Sequence, residues 1–509
     1  MPAIILTTLN ARYFHASLGL RYLLANMGEL QPDTRIQEFI ITQRPIDIVE
    51  NLLQQQPRII GFGVYIWNVA ETAQVVTLLK QLRSDIVIVL GGPEVSYEYE
   101  EQSVVQLADY VITGPADLEF GPLCRQLLHN ARPARKVITA TPPALSRLAL
   151  PYQFYNEEDI AHRLIYVEAS RGCPFKCEFC LSALDKTAWS FDLDLFLEKM
   201  RRLYERGVRH FKFVDRTFNL KIESTLKILT FFLDRLDEKL FLHFELIPDH
   251  LPEKLRDIIS RFPSGVLQFE IGIQTFNPSV QTLINRKQND QKTETNLGWL
   301  RQATQAHLHT DLIIGLPGED VASFAESFNR LVALDPHEIQ VGLLKRLRGA
   351  PISRHTDEYG LIFDPHPPYT ILCSDLIDFP TMQRLSRFAR YWDLIGNSGR
   401  FHDTKPLLLG NDPFGHFLCF SDWLFATTQQ THQIALDRLF NLLYQGLIDT
   451  LGIEPALARD TLAQDYESSG IRRIPAFLRQ DESAPGGKLA HRSTRQARHL
   501  KVVSTPVRR

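Results

Sequence analysis

Short apolar runs recur through the first 140 residues, at Ala3–Leu6, Ile36–Ile41, Ile59–Tyr65, Ile86–Leu90 and Tyr110–Thr113. Between them the apolar positions fall at helical spacing, as in Leu18, Tyr22 and Leu23 or Val75, Leu78 and Leu79. This alternation predicts βα units around a parallel sheet covered on both faces. A second series follows at Leu164–Val167, Phe211–Val214, Leu242–Leu246, Leu267–Ile273, Asp311–Ile314 and Ile339–Leu344. Helical segments separate these six runs too; one carries Phe196, Met200 and Leu203 and stops at Gly207, a residue suited to a helix C-terminus. Six successive βα units predict an incomplete barrel whose active face lies at the carboxyl ends of its strands.

One run is informative residue by residue. In Leu267–Gln274 a period of two puts Leu267, Phe269, Ile271 and Ile273 on one face and Gln268, Glu270, Gly272 and Gln274 on the other. The polar stripe suits a lined cavity better than an edge strand facing water, because helices should cover these strands. Glu245, within Leu242–Leu246, makes the same point.

The composition is that of a globular chain: 509 residues, 44% hydrophobic, 23% charged and a formal net charge of -3. The length suits about three domains. A near-neutral balance argues against nucleic acid as the main partner. No uncharged apolar run reaches the ~18 residues of a transmembrane helix, and the opening segment reads as a first strand rather than a secretion signal. Residues 130–152, with Pro133, Pro142, Pro143 and Pro151, suit an ordered crossing between domains rather than a helix or strand.

The six cysteines are too few for a disulfide scaffold, yet Cys173, Cys177 and Cys180 crowd into one loop after the run Leu164–Val167. Three thiolates spaced C-x3-C-x2-C can hold three irons of a cubane and leave the fourth open, unlike the four-cysteine clusters of electron carriers. A structural zinc would want a fourth nearby ligand, and no His or Cys follows until His210. Reduced thiols of this kind place the chain in the cytoplasm.

Ligands of parallel sheets collect beyond the strands' carboxyl ends. Here those ends read Thr7–Asn10, Gly63–Asn68, Gly91–Glu94 and Thr113–Pro115, and no GxGxxG opens the first unit. On these residues alone, the amino-terminal sheet is either a ligand-binding domain or a response-regulator-like or purely structural flavodoxin-like one.

The chain resembles the radical S-adenosylmethionine (SAM) enzymes that carry a cobalamin-binding domain, in a bacterial branch of that family. The resemblance rests on Arg171–Ser182 (RGCPFKCEFCLS), with Phe179 before the last cysteine, on FVDRTFN at Phe213–Asn219 and on DLIIGLPGED at Asp311–Asp320. In the amino-terminal half it rests on Leu9-Asn10-Ala11 through Ser17-Leu18-Gly19, Tyr65-Ile66-Trp67-Asn68 and Gly91-Gly92-Pro93-Glu94. It implies an α/β protein with a Rossmann-like (flavodoxin-like) cobalamin domain at 1–140 and a linker at 141–160. A partial (β/α)6 TIM-type radical SAM barrel at 161–375 and a helical domain at 376–480 follow. The basic stretch 481–509 is expected to be a disordered tail.

The resemblance implies three cofactors: a 4Fe–4S cluster, SAM and cobalamin. Cys173, Cys177 and Cys180 would be its catalytic metal ligands, SAM would chelate the fourth iron, and one-electron cleavage would give a 5′-deoxyadenosyl radical. It further implies cofactor contacts from Asn10, Tyr65, Trp67, Asn68, Gly91, Gly92, Pro93, Glu94 and Gly114. On the SAM side it implies Phe179, Asp215, Arg216, Glu245, Glu270, Gln274, Gly315 and Pro317. The usual glycine-rich motif for the methionine amine is replaced by Val214–Asn219, so Asp215 and Arg216 stand in its place. No D-x-H-x-x-G occurs in residues 1–130, so cobalamin is expected without a protein histidine on cobalt, and His15 is expected at the polar surface. The expected reaction is methyl transfer to a carbon of a small molecule, with a flavodoxin or ferredoxin as electron donor and no membrane. The alternatives are a radical rearrangement, cyclisation or oxidation, and a sensor without turnover. Lys345, Arg346 and Arg348 either meet an anionic substrate group or are ordinary solvated bases. Phe388, Tyr391, Trp392, Leu436, Leu439, Phe440 and Leu443 are expected in a helical core.

Overall fold

The computed structural model describes residues 2–470, 473–479 and 495–501. The chain divides into two compact units. The first holds the described residues up to Glu245 together with Lys345–Ser353 and Asp364–Thr370; the second holds Leu246–Leu344, Arg354–Phe363 and the described residues from Ile371 on.

The first unit opens with β1 (Ile4–Asn10), β2 (Thr34–Ile40), β3 (Ile59–Gly63), β4 (Val87–Gly91), β5 (Tyr110–Thr113) and β6 (Val137–Thr139). They form one sheet in the order β2-β1-β3-β4-β5-β6, with every neighbouring pair parallel. β1 is buried throughout, the burial a central strand of a two-faced sheet requires. Apolar residues pack on both faces: Ile5, Ile60, Ile88 and Val75 on one, Ile4, Val89, Phe120 and Leu123 on the other.

β6 lies inside the proline-rich stretch that was expected to hold no strand. Among the described residues it pairs with β5 alone, and an edge place tolerates flanking prolines that a central strand would not. The expected linker at 141–160 also packs firmly. Tyr152 and Tyr155 are buried, and their hydroxyls donate to the carbonyls of Glu168 and Tyr166.

The same unit continues with β7 (Ile165–Val167), β8 (Ser170–Arg171), β9 (Trp189–Ser190), β10 (His210–Phe213) and β11 (Phe241–Glu245). β7, β10 and β11 are parallel neighbours, while β8 and β9 form a short antiparallel pair that closes the cysteine loop. The helix Leu193–Glu205 buries Phe196, Met200 and Leu203, and Gly207 follows it at φ 99° as expected.

In the second unit, β12 (Leu267–Gln274), β13 (His307–Ile314) and β14 (Glu338–Leu343) are parallel neighbours. Burial along β12 alternates strictly, with Leu267, Phe269, Ile271 and Ile273 inside. Helices follow from Phe379 on. Phe388, Tyr391, Trp392, Leu439, Phe440 and Leu443 are buried there, as expected, while Leu436 is half-buried. The Trp392 indole N–H donates to the carbonyl of Ile339, which fixes its helix against β14.

The expectation of a disordered tail at 481–509 does not hold for Arg495–Lys501, which form a helix. Arg495 lies 2.9 Å from Glu338 and 2.8 Å from Asp393, partners that neutralise its charge. The rest of that stretch lies outside the described residues. Among the described residues, no helix is long and apolar enough to cross a membrane.

Candidate functional site

A cavity of about 690 Å³ opens at the carboxyl ends of β1, β3, β4 and β5. The chain turns there on glycines, and Gly61, Gly63, Gly91, Gly92 and Gly114 all line it. Gly92 has φ 112°, and a Cβ there would overlap the carbonyl oxygen of Val64. Only glycine fits that turn, and the exposed backbone offers polar groups to a ligand. Tyr65 and Trp67 stack ring on ring at 4.4 Å beside it, and Trp67 remains exposed.

Of the residues expected to contact cobalamin, Asn10, Tyr65, Trp67, Gly91, Gly92 and Gly114 line this cavity. The other three do not. Asn68 is fully buried; its amide donates to Thr8, Leu9 and Gly63 and accepts from the N–H of Tyr65, tying β1 to β3. Glu94 accepts from Tyr369 at 2.6 Å and pairs with Arg348 at 3.0 Å. Burial raises its carboxyl above the usual range, against the pull of those two partners. Pro93 is exposed outside the wall.

The wall also holds residues that sequence reasoning missed: Tyr22, Asp117, Tyr166, Glu168 and Arg171. His15, expected at the polar surface, lines the cavity as well, its Nδ1 2.6 Å from the Tyr166 hydroxyl. Burial lowers its basicity, as do Lys212 and Arg12, so the imidazole is neutral at pH 7. Arg171 forks onto Asp117 at 3.0 and 3.1 Å and donates to Glu168 at 2.8 Å, with its guanidinium over the Tyr22 ring. The one available signal was position, since Arg171 stands two residues ahead of Cys173.

The cysteine loop begins where this wall ends. All three cysteines are free thiols. Gly172 has φ 87°, and a Cβ would meet Thr187 Oγ1 at 2.7 Å and the Ala188 nitrogen at 2.8 Å. The Cys173 N–H donates to the Asp185 carbonyl, and the Cys180 N–H to that of Cys177. Burial raises the Cys173 thiol, and Cys180 and Cys177 add to the rise; the Phe175 backbone and Arg216 oppose it. Among the described residues, no three His, Cys, Asp or Glu side chains converge on a single-ion site. Three soft thiolates from one loop fit an iron–sulfur cluster, and Phe179 stands half-buried beside the last of them.

Asp215 is buried, and its carboxylate accepts from the Ala169 N–H at 3.0 Å and the Ser170 hydroxyl at 2.6 Å. It therefore holds the strand that leads into the loop. Burial pushes its carboxyl up to about 7. Arg216 and Glu245 meet as an ion pair at 2.6 Å.

In the second unit, Glu270 lies opposite His309 across β12 and β13, on the half-buried polar face. Gln274 takes φ 71° at a bulge in that pairing, so its strand end is bent rather than regular. Gly315 and Pro317 are buried, Gly315 against Ile371 and Met382. Glu319 is buried too and accepts from Thr275 at 2.5 Å; burial pushes its carboxyl up to about 8.

Comparison with known proteins agrees with this layout. Residues 4–121 match the B12 binding domain, 167–331 the radical SAM superfamily and 357–506 a protein family of unknown function, DUF4080. An uncharacterised methyltransferase of Pyrococcus horikoshii is 25% identical over 236 residues, covering 42% of this chain and 51% of that protein. The cobalamin-dependent radical SAM methyltransferase TokK of Streptomyces tokunonensis is 22% identical over 384 residues, covering 67% of this chain and 55% of TokK. The chain thus spans about half the length of these two relatives. Among solved structures, the radical SAM methyltransferase TsrM of Kitasatospora setae, with cobalamin and a 4Fe–4S cluster bound, matches at TM-score 0.57 and 14% identity. That match covers 92% of this chain and all of TsrM's, and it shares the fold. With its cysteine loop and its glycine-lined cavity in this order, the chain carries an amino-terminal B12 binding domain followed by a radical SAM domain, and its cofactors are a 4Fe–4S cluster, SAM and cobalamin.

Proposed function

We propose that this enzyme transfers a methyl group to a carbon atom of a small molecule. One observation carries the reading: the glycine-lined cavity shares Glu168, Arg171 and Val214 with the strand ends that frame the cysteine loop. A methyl carrier in the cavity would then sit beside the place where SAM is cleaved. When bound, the cluster supplies the electron that cleaves SAM and cobalamin supplies the methyl group.

The chain's own part is to bind and orient. Cys173, Cys177 and Cys180 would hold the cluster, and Asp215 would fix the strand before them. Gly63, Gly91 and Gly114 would let the cobalamin ring lie against backbone, with Tyr65 and Trp67 at its edge. Arg216 and Glu245 would meet the polar end of SAM by exchanging their mutual pair for its ammonium and carboxylate. Phe179, ahead of the last cysteine, would line its site on the side of the loop.

For Arg346 and Arg348 the anionic-substrate reading loses its support. Arg346 lies 2.9 Å from Glu98 and Arg348 3.0 Å from Glu94, so both charges are already met. A small-molecule substrate fits a net charge of -3 better than nucleic acid does. A flavodoxin or ferredoxin would supply electrons in the cytoplasm, where thiols stay reduced.

The test is anaerobic incubation of reconstituted enzyme with a metabolite extract, methyl-labelled SAM and a strong one-electron reductant. The expected result is label in a new small molecule, with both deoxyadenosine and S-adenosylhomocysteine formed. Substrate-dependent deoxyadenosine without label transfer would replace methylation by rearrangement or oxidation. Label in RNA or protein would overturn the choice of a small molecule.

A further inference from the structure

We infer that Arg171 and Asp117 form a latch through which cobalamin in the cavity steadies the cluster loop, Arg171 acting as a positioning residue. The inference rests on the cofactor assignment above. Three observations lead to it.

First, Arg171 belongs to both places. It lines the cavity and also sits in β8, the strand whose pairing with β9 closes the cysteine loop. Only Gly172 separates it from Cys173, and that glycine admits no side chain. A shift of the Arg171 backbone is therefore passed straight to the first cluster ligand.

Second, the guanidinium is fixed from the cobalamin side. Both oxygens of Asp117, in the turn after β5, take the fork at 3.0 and 3.1 Å, and Glu168 takes the remaining Nε–H at 2.8 Å. Asp117 and Glu168 are themselves buried, and Gly114 of the same turn also lines the cavity. A bidentate pair in such surroundings sets direction as well as charge. The turn that borders the ligand is thus bolted to the strand that borders the cluster.

Third, the guanidinium has capacity left. Of its five N–H bonds three are used, which leaves two donors. Corrin side chains end in amide carbonyls, acceptors of the right kind for a guanidinium in the cavity wall. Filling the cavity would then hold the Gly114–Asp117 turn and Arg171 together.

The experiment uses full-length, anaerobically reconstituted protein, cob(II)alamin as the probe and two readouts that need no turnover. One is cob(II)alamin affinity by absorbance titration. The other is the rate at which a coloured chelator strips iron from the cluster, with and without cobalamin. In the wild type, cobalamin should slow iron release at least about threefold. Asp117→Asn should assemble a full cluster, bind cob(II)alamin about tenfold more weakly and, once saturated, show no slowing. Asp117→Glu should restore most of the effect, since it keeps the charge. Wild-type slowing in saturated Asp117→Asn, or no slowing in the wild type, would overturn the latch. Should Asp117→Asn fail to fold, the same comparison on Arg171→Lys decides, because lysine keeps the charge and loses the fork. A wild type that takes up no cobalamin or builds no cluster would instead overturn the cofactor assignment, a distinct failure.

Discussion

Two buried carboxyls carry a pH dependence that can be worked out in sign. Burial pushes Asp215 up to about 7 and Glu319 up to about 8. In the unfolded chain both return to ordinary carboxyl values near 4. Between those limits the folded state holds protons that the unfolded state has released, so stability falls as pH rises through the window. Each group adds a slope of up to about 1.4 kcal/mol per pH unit across its own window. Glu319→Gln removes the charge without changing the shape, so it is expected to flatten the loss of stability up to about pH 8. Asp215→Asn should do the same up to about pH 7, while weakening the hold on Ala169 and Ser170. Denaturant midpoints between pH 5 and 9 check both; an unchanged slope in Glu319→Gln would show its carboxyl to be ionised throughout. Neither group was legible as a buried acid in the sequence. Periodicity shows which face a residue occupies, not what covers it, and Glu319 follows a glycine–proline turn that has no period.

At the scale of elements, the turn after β4 separates folding from binding. Alanine at Gly92 needs φ 112° and overlaps the Val64 carbonyl, so Gly92→Ala should destabilise the domain by about 3 kcal/mol. Alanine at Gly91 meets nothing nearer than the Ile112 carbonyl oxygen at 3.7 Å. Gly91→Ala should therefore fold within about 0.5 kcal/mol of the wild type but take up cobalamin less well, since its methyl enters the cavity wall. Thermal melts and cobalamin titration of the two variants test the pair. Equal affinity of Gly91→Ala and wild type would remove Gly91 from the cradle. The strands were readable because both series are short apolar runs separated by segments of helical spacing, and in the first series β1, β3 and β4 end on Asn10, Gly63 and Gly91. β6 was not, because three residues between prolines carry too little pattern. The cavity was half readable. Its glycines and Tyr65 and Trp67 stand at strand ends, where ligands are expected. Its salt-bridged wall joins Asp117 to Arg171 across 54 positions of sequence, and no local pattern signals such a pairing. Asn68 and Glu94 illustrate the converse. Both stand in the right loops, and both are spent on holding the protein together.

At the scale of the molecule, the cluster and cobalamin are assigned to two parts of the chain, and their loading should be separable. The cluster depends on Cys173, Cys177 and Cys180, whereas the cavity is built from β1 to β5 and the turns that follow them. Changing the three cysteines together to alanine should abolish the expected ~4 irons per chain and the deoxyadenosine product, yet leave one cobalamin bound. Loss of both cofactors would mean that the cavity needs the cluster to form. Cob(II)alamin itself reports on the wall, because an axial nitrogen splits each cobalt line threefold in electron paramagnetic resonance. His15 is the histidine in that wall, its Nδ1 beside the Tyr166 hydroxyl, but the D-x-H-x-x-G motif that presents a ligand is absent. The expected spectrum therefore shows no protein nitrogen on cobalt and does not change in His15→Ala. Threefold splitting that responds to nitrogen-15 labelling of histidine, and disappears in His15→Ala, would instead make His15 the lower ligand and Tyr166 the group that orients it.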